Sequence, residues 1–125
     1  MNTNPVVWFE IYVQDMDRAK AFYEKVLGKT LDKLDSPDPS MLMYNFPMDE
    51  KGAGAAGALC KMGDVPSGPG GTMVYFHCDD VANEIGRVAE AGGVVKQEKM
   101  SIGPYGFIAM ALDTEGNMIG FHSQA

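Results

Sequence analysis

Cysteine is nearly absent from this 125-residue chain: Cys60 and Cys78 stand alone, with no CxxC spacing and no disulfide framework. Both thiols are expected to stay reduced, in a cytoplasmic compartment. Basic residues are scarce as well, ten against seventeen acidic ones, for a net charge of −7. Such a surface repels phosphate backbones and anionic lipid headgroups, so neither nucleic acid nor a membrane surface is expected as a partner. No hydrophobic run approaches the roughly 18 residues of a membrane span. The opening MNTNPVVWFE has no basic stretch leading into an apolar core, so no secretory leader is expected.

What is present suits a single globular domain, 46% hydrophobic and 22% charged. A chain of this length buries about two-thirds of its unfolded surface and needs no metal or disulfide to fold. Val7 to Gln14 alternates Phe9–Ile11–Val13 with Trp8–Glu10–Tyr12, the period-2 pattern of a strand with two distinct faces. Asp15 or Asp17 can cap a following helix whose Met16, Ala19, Tyr23, Val26 and Leu27 recur at helical spacing, with Gly28 as its stop. Three extended segments are expected near Lys29–Leu34, Met41–Phe46 and Ala55–Met62, separated by Ser36-Pro37-Asp38-Pro39 and Asp49-Glu50-Lys51-Gly52.

Gly63, Gly68, Gly70 and Gly71, with Pro66 and Pro69, then mark a linker. After it the pattern restarts. Thr72–Asp79 alternates Val74–Phe76–Cys78 with Met73–Tyr75–His77. Asp80 can cap a second helix carrying Val81, Ile85, Val88 and Ala89 on one face, closed by Gly92-Gly93. Further strands are expected near Val94–Met100, Phe107–Leu112 and Met118–Ser123. A shift of 65 places Asp15 on Asp80 (80 − 15) and Gly28 on Gly93 (93 − 28). The spacing describes an internal duplication, with module one at about 5–63 and module two at about 71–124 of one domain spanning 1–125.

The fold class implied is α+β: two βαβββ modules, each burying one sheet face under its helix, with the opposite faces curving into a ligand-sized cup. On the cup side the parity places Trp8, Glu10 and Tyr12; Ala56, Ala58 and Cys60; Met73, Tyr75 and His77; and Met118, Gly120 and His122.

The segment FEIYVQDMDRAKAFYEKVLG and the closing AMALDTEGNMIGFHS resemble the opening and final signatures of the vicinal oxygen chelate superfamily, which includes glyoxalase I, extradiol dioxygenases and bleomycin-resistance proteins. Thr114 stands where that family's last turn has proline. The early WFEI, the MVYF strand and the final IGFHS are most similar to its glyoxalase-related branch. The resemblance implies a homodimer and, in metal-dependent members, His, Glu or Gln ligands at positions that here are Trp8, Ala58, Met73 and Gly120. None of these offers a hard donor to a divalent cation, so no cofactor is expected at the standard place.

One carboxylate, Glu10, and two imidazoles, His77 and His122, stand on the cup face. Glu10, between two aromatics, suits a general base or acid whose pKa burial would raise. His122 suits a proton shuttle or hydrogen-bond donor, with Tyr75 as a second orienting group. Glu10, His77 and His122 have the composition of a 2-His-1-carboxylate iron set, although spacing along the strands sets His77 apart from the metal layer. Trp8, Tyr12, Cys60, Met73, His77, Met118 and Gly120 complete the expected ligand-binding surface. Gly52-Ala-Gly54-Ala-Ala-Gly57 satisfies GxGxxG, but Gly63 and Pro66 leave no room for the helix a dinucleotide site requires. Three functions stay open: a lyase- or isomerase-type enzyme acting on a small organic ligand through Glu10; a non-catalytic protein sequestering such a ligand, as bleomycin-resistance proteins do; and a metal enzyme with displaced ligands Glu10 and His122.

Overall fold

The computed structural model describes residues 4–36 and 38–125. Met1–Thr3 lie outside it, as does Pro37, one of the four residues of the expected Ser36–Pro39 break. Two compact units result, Trp8–Thr72 and Met73–Ala125, the second including the residues up to Val7.

In the first unit, β1 (Val6–Tyr12) leads into α1 (Met16–Leu27), followed by β2 (Asp32–Leu34), β3 (Met41–Asn45) and β4 (Ala58–Met62). Helix α1 has the ends its sequence requires. Asp15 adopts extended backbone and its side chain accepts from the Arg18 amide, filling one orphan donor of the first turn. Gly28 takes the left-handed conformation at φ 64° and returns its N–H to the Glu24 carbonyl. Strands run in the order β2-β3-β4-β1, with β1 and β4 parallel and the other pairs antiparallel. Val13, Met16, Leu31, Phe46 and Leu59 form the core beneath α1, with Phe9, Ile11 and Tyr23 packed against them. Met43, Ala58 and Cys60 form a second cluster with Trp8, Tyr12, Leu34 and Met41. The two clusters sort by strand parity.

The second unit repeats the plan. It holds β5 (Thr72–His77), α2 (Val81–Ile85), β6 (Val94–Ser101), β7 (Phe107–Leu112) and β8 (Met118–Ser123), ordered β5-β8-β7-β6 with β5 and β8 parallel. Val81 and Ile85 of α2 cover Cys78, Ala109 and Ala111, with Phe107, Ile119 and Phe121 alongside. Identical strand order and pairing in both units give the βαβββ duplication its structural form.

Several boundaries differ from expectation, each for a local reason. Strand β2 begins at Asp32 rather than Lys29, because the Leu31 amide donates to the Glu24 carboxylate at 2.9 Å and ties that stretch to α1. Strand β4 begins at Ala58 rather than Ala55, because Gly57 turns with φ 73° and the Phe9 ring fills the space of a Cβ there. Helix α2 ends at Ile85 instead of reaching Ala89. Beyond Gly86 the amides of Arg87 and Val88 bond three residues back, to Glu84 and Ile85, so the chain tightens into turns.

Candidate functional site

On β1, residues two apart share a face, and there Trp8 and Tyr12 bracket Glu10. The Tyr12 hydroxyl donates to Glu10 Oε1 at 2.7 Å, and the Trp8 indole N–H donates to Oε2 at 3.3 Å. Glu10 is 6% exposed, the most deeply placed carboxylate among the described residues. Parallel pairing sets Ala58 beside Glu10 and Cys60 beside Tyr12, and β3 adds Met43 beside Cys60 and Asn45 beside Ala58. The result is a buried carboxylate inside a layer of thioether, thiol and aromatic groups. Burial pushes the Cys60 thiol far above its ordinary pKa, and the negative charge of Glu10 pushes it further. Cys60 is thus an inert wall, not a nucleophile.

Asn45 is a part of this layer that sequence reasoning missed. It is buried, shares the parity of Met41 and Met43, and its amide donates to the Phe46 carbonyl at 2.9 Å. The signal was present: a polar residue continuing an apolar alternation.

In the second unit, β5 and β8 pair Tyr75 with Gly120 and His77 with His122. By the duplication, Tyr75–Gly120 occupies the place of Glu10–Ala58, and His77–His122 that of Tyr12–Cys60. Tyr75 is buried with its ring lying over Gly120, where any Cβ would collide with it. Met73 is buried and Met118 exposed. His122 Nε2 donates at 2.6 Å to the carbonyl of Tyr105, which ends a 3-10 turn (Gly103–Tyr105) absent from the expected elements. His77 is largely exposed, with Nε2 3.8 Å from Asp79 Oδ1.

The structure therefore groups Trp8, Glu10, Tyr12 and Cys60 in one unit, and Tyr75, His77, Gly120 and His122 on one face of the other. It removes Ala56 from the first group. Ala56 precedes the turn at Gly57 and lines a cleft with Phe9, Ile11 and Tyr23, on the α1 side of the sheet.

The four positions to which the resemblance assigns metal ligands carry side chains that do not fit a divalent ion. Trp8 offers only a donor, already directed at Glu10, Met73 is a soft thioether, and Ala58 and Gly120 offer nothing. Nor do three or more His, Cys, Asp or Glu side chains converge as a metal set among the described residues.

Residues 6–121 match the model of a family described as the Glyoxalase/Bleomycin resistance protein/Dioxygenase superfamily. CFP32 of Mycobacterium bovis, provisionally named a glyoxylase, is 30% identical over 114 residues, which cover 91% of this chain and 42% of CFP32. The chain thus spans less than half the length of that curated relative. Among solved structures, the hypothetical protein BH1468 of Bacillus halodurans superposes with a TM-score of 0.73 at 15% identity, over 99% of this chain and 96% of its own. Methylmalonyl-CoA epimerase of Mycobacterium tuberculosis superposes with a TM-score of 0.70 at 19% identity, over 97% and 88%. These two likenesses describe the fold.

Proposed function

We propose, for a chain that belongs to the Glyoxalase/Bleomycin resistance protein/Dioxygenase superfamily, that it binds a small organic molecule on the sheet face around Glu10 and moves a proton on it. The reading rests on one observation above the rest: a buried carboxylate set in an apolar layer and oriented by the Tyr12 hydroxyl and the Trp8 indole. Ionised groups are rarely left in such surroundings without a purpose or a partner. Glu10 acts as the base, abstracting a proton from carbon next to a carbonyl, in an isomerase- or lyase-type reaction. The corresponding face of the second unit carries Tyr75 and His122. Trp8 and Tyr12 supply contact surface beside Glu10. No metal takes part at the family's usual positions, because their side chains cannot hold one. The epimerase named above is an enzyme of similar fold, and proton transfer at carbon is the chemistry a buried carboxylate base supplies. We place the protein in the cytoplasm as a homodimer.

A second reading has its own support. Both oxygens of Glu10 already accept hydrogen bonds, from the Trp8 indole and the Tyr12 hydroxyl, which hold the carboxylate in one orientation. A fixed negative charge ringed by Trp8 and Tyr12 suits a cationic ligand held without turnover.

Thermal-shift screening of small carbonyl compounds and of aromatic amines finds the ligand class. Incubation in deuterium oxide, followed by NMR of the recovered ligand, divides catalyst from binder. Catalysis predicts deuterium at the carbon next to the carbonyl and a loss of about 100-fold or more in Glu10→Gln. Exchange at full rate in that variant would remove Glu10 as the base. A ligand recovered unlabelled would favour sequestration. About one metal ion per chain in protein purified without chelators, lost in both Glu10→Ala and His122→Ala, would favour displaced ligands instead.

A further inference from the structure

The first unit holds a cleft on the other side of its sheet, away from Glu10. It has a volume of about 470 Å³, within the range of small-molecule sites. Its walls are the rings of Phe9, Tyr23 and Phe46. Phe46 lies 5.7 Å from each of the other two, tilted against Phe9 and edge-on to Tyr23. Phe9 is further fixed against Gly57, where its ring takes the place of a side chain. The walls are thus pre-formed, so a ligand need not order them.

At the rim stand Leu27, half exposed, and Lys29. Lys29 is the one charged side chain among the lining residues, and no ion pair engages it among those described. Its ammonium is the only charge that the lining residues offer a ligand. It selects for charge of the opposite sign.

We propose that this cleft binds an amphipathic anion, a small carboxylate with an aliphatic or aromatic body. The body lies over the surface that Phe9, Tyr23 and Phe46 form together, and the carboxylate meets Lys29. Neutral molecules of the same shape gain only the apolar part, and cations are repelled. The site shares no side chain with the Glu10 layer and does not depend on the function proposed for it.

The test uses hexanoate, octanoate and decanoate with 1-octanol and octylamine as controls, followed by amide NMR shifts of the whole chain. Saturable shifts should centre on Tyr23, Leu27, Lys29, Ala55 and Ala56. Affinity should rise by about 3- to 4-fold per added methylene while the cleft still has room. Octanoate should exceed 1-octanol by about 3- to 5-fold, an ion pair at an exposed rim being weak. That preference should vanish in Lys29→Gln, with the binding of 1-octanol unchanged. Ala56→Phe, which fills the cleft from a loop, should abolish binding of all of them. No saturable shift, indifference to chain length, octylamine binding as well as octanoate, or a carboxylate preference that survives Lys29→Gln would each overturn the proposal.

Discussion

Gly120→Ala should destabilise the protein even though the backbone there does not require glycine. Gly120 is buried, and an added Cβ would stand about 2.5 Å from one carbon of the Tyr75 ring and 2.9 Å from another, where ordinary contact begins near 3.4 Å. The ring would have to retreat by roughly an ångström within a packed interior, an overpacking strain of about 1–3 kcal/mol. Alanine also restricts the unfolded chain, which returns about 0.4–1 kcal/mol. A net loss of about 1.5 kcal/mol is therefore expected. Spread over the unfolding entropy of a domain this size, that lowers Tm by roughly 6 °C. Urea denaturation of Gly120→Ala, Tyr75→Leu and the double variant isolates the cause. With the ring gone, Gly120→Ala should be neutral or slightly stabilising, for a coupling of about 1.5–2 kcal/mol. Any other contact of Tyr75 cancels in this cycle. Additive losses, or a neutral Gly120→Ala in the parent, would show that the ring does not occupy this place, and the account of why no ligand side chain can stand at residue 120 would go with it.

Tyr12→Phe removes the 2.7 Å hydrogen bond to Glu10 and should lower stability by about 1.5–3 kcal/mol in urea melts, as for other bonds to a charged group; a loss below about 0.5 kcal/mol would deny Tyr12 its orienting role. Both thiols are buried and Cys78 is pushed up to about 12, mainly by burial and then by the nearby Glu84 carboxylate. Native protein at pH 8 should therefore resist a disulfide exchange reagent that titrates two thiols after unfolding. The same shift has a signed consequence. A thiol whose pKa is raised on folding contributes stability that is complete below its unfolded value, about 9, and declines from there toward about pH 12. Cys78→Ala should flatten that alkaline decline in pH-dependent melts, and an unchanged slope would refute it. At the acid end, Asp113 is held below the usual carboxylate range by hydrogen bonds from Asn117 and Glu115. Its contribution is present above about pH 4 and is lost as pH falls through the lower folded value. Asp113→Asn keeps an oxygen for the turn but removes the charge, so the acid arm of the stability profile should become shallower.

Legibility in the sequence followed the range of the interaction. Helix α1 could be ended at Gly28 and begun at Asp15 or Asp17; the structure selects Asp15, and both caps act through bonds to Arg18 and Glu24, three and four residues away. The faces of β1, β5 and β8 were equally legible, since strand parity needs no partner to define it. Where distant contacts rule, expectation missed. Glu24 drew Leu31 out of β2, and Phe9 seated on Gly57 delayed β4 and turned Ala56 to the helix side. The tightening after Gly86 was a local feature misread, a glycine whose low helix propensity outweighed the apolar spacing of Val88 and Ala89.

By itself the sequence determined two βαβββ modules and the sharing of one face by Trp8, Glu10 and Tyr12, because hydrophobic periodicity and caps act within a few residues. Tertiary structure alone decided which strands lie side by side. That choice set Ala58 and Asn45 in the row of Glu10, laid Tyr75 over Gly120, paired His77 with His122, and turned the ring nitrogen of His122 toward the Tyr105 carbonyl. Register between strands depends on packing over the whole sheet and leaves no mark on the spacing of residues along any one strand.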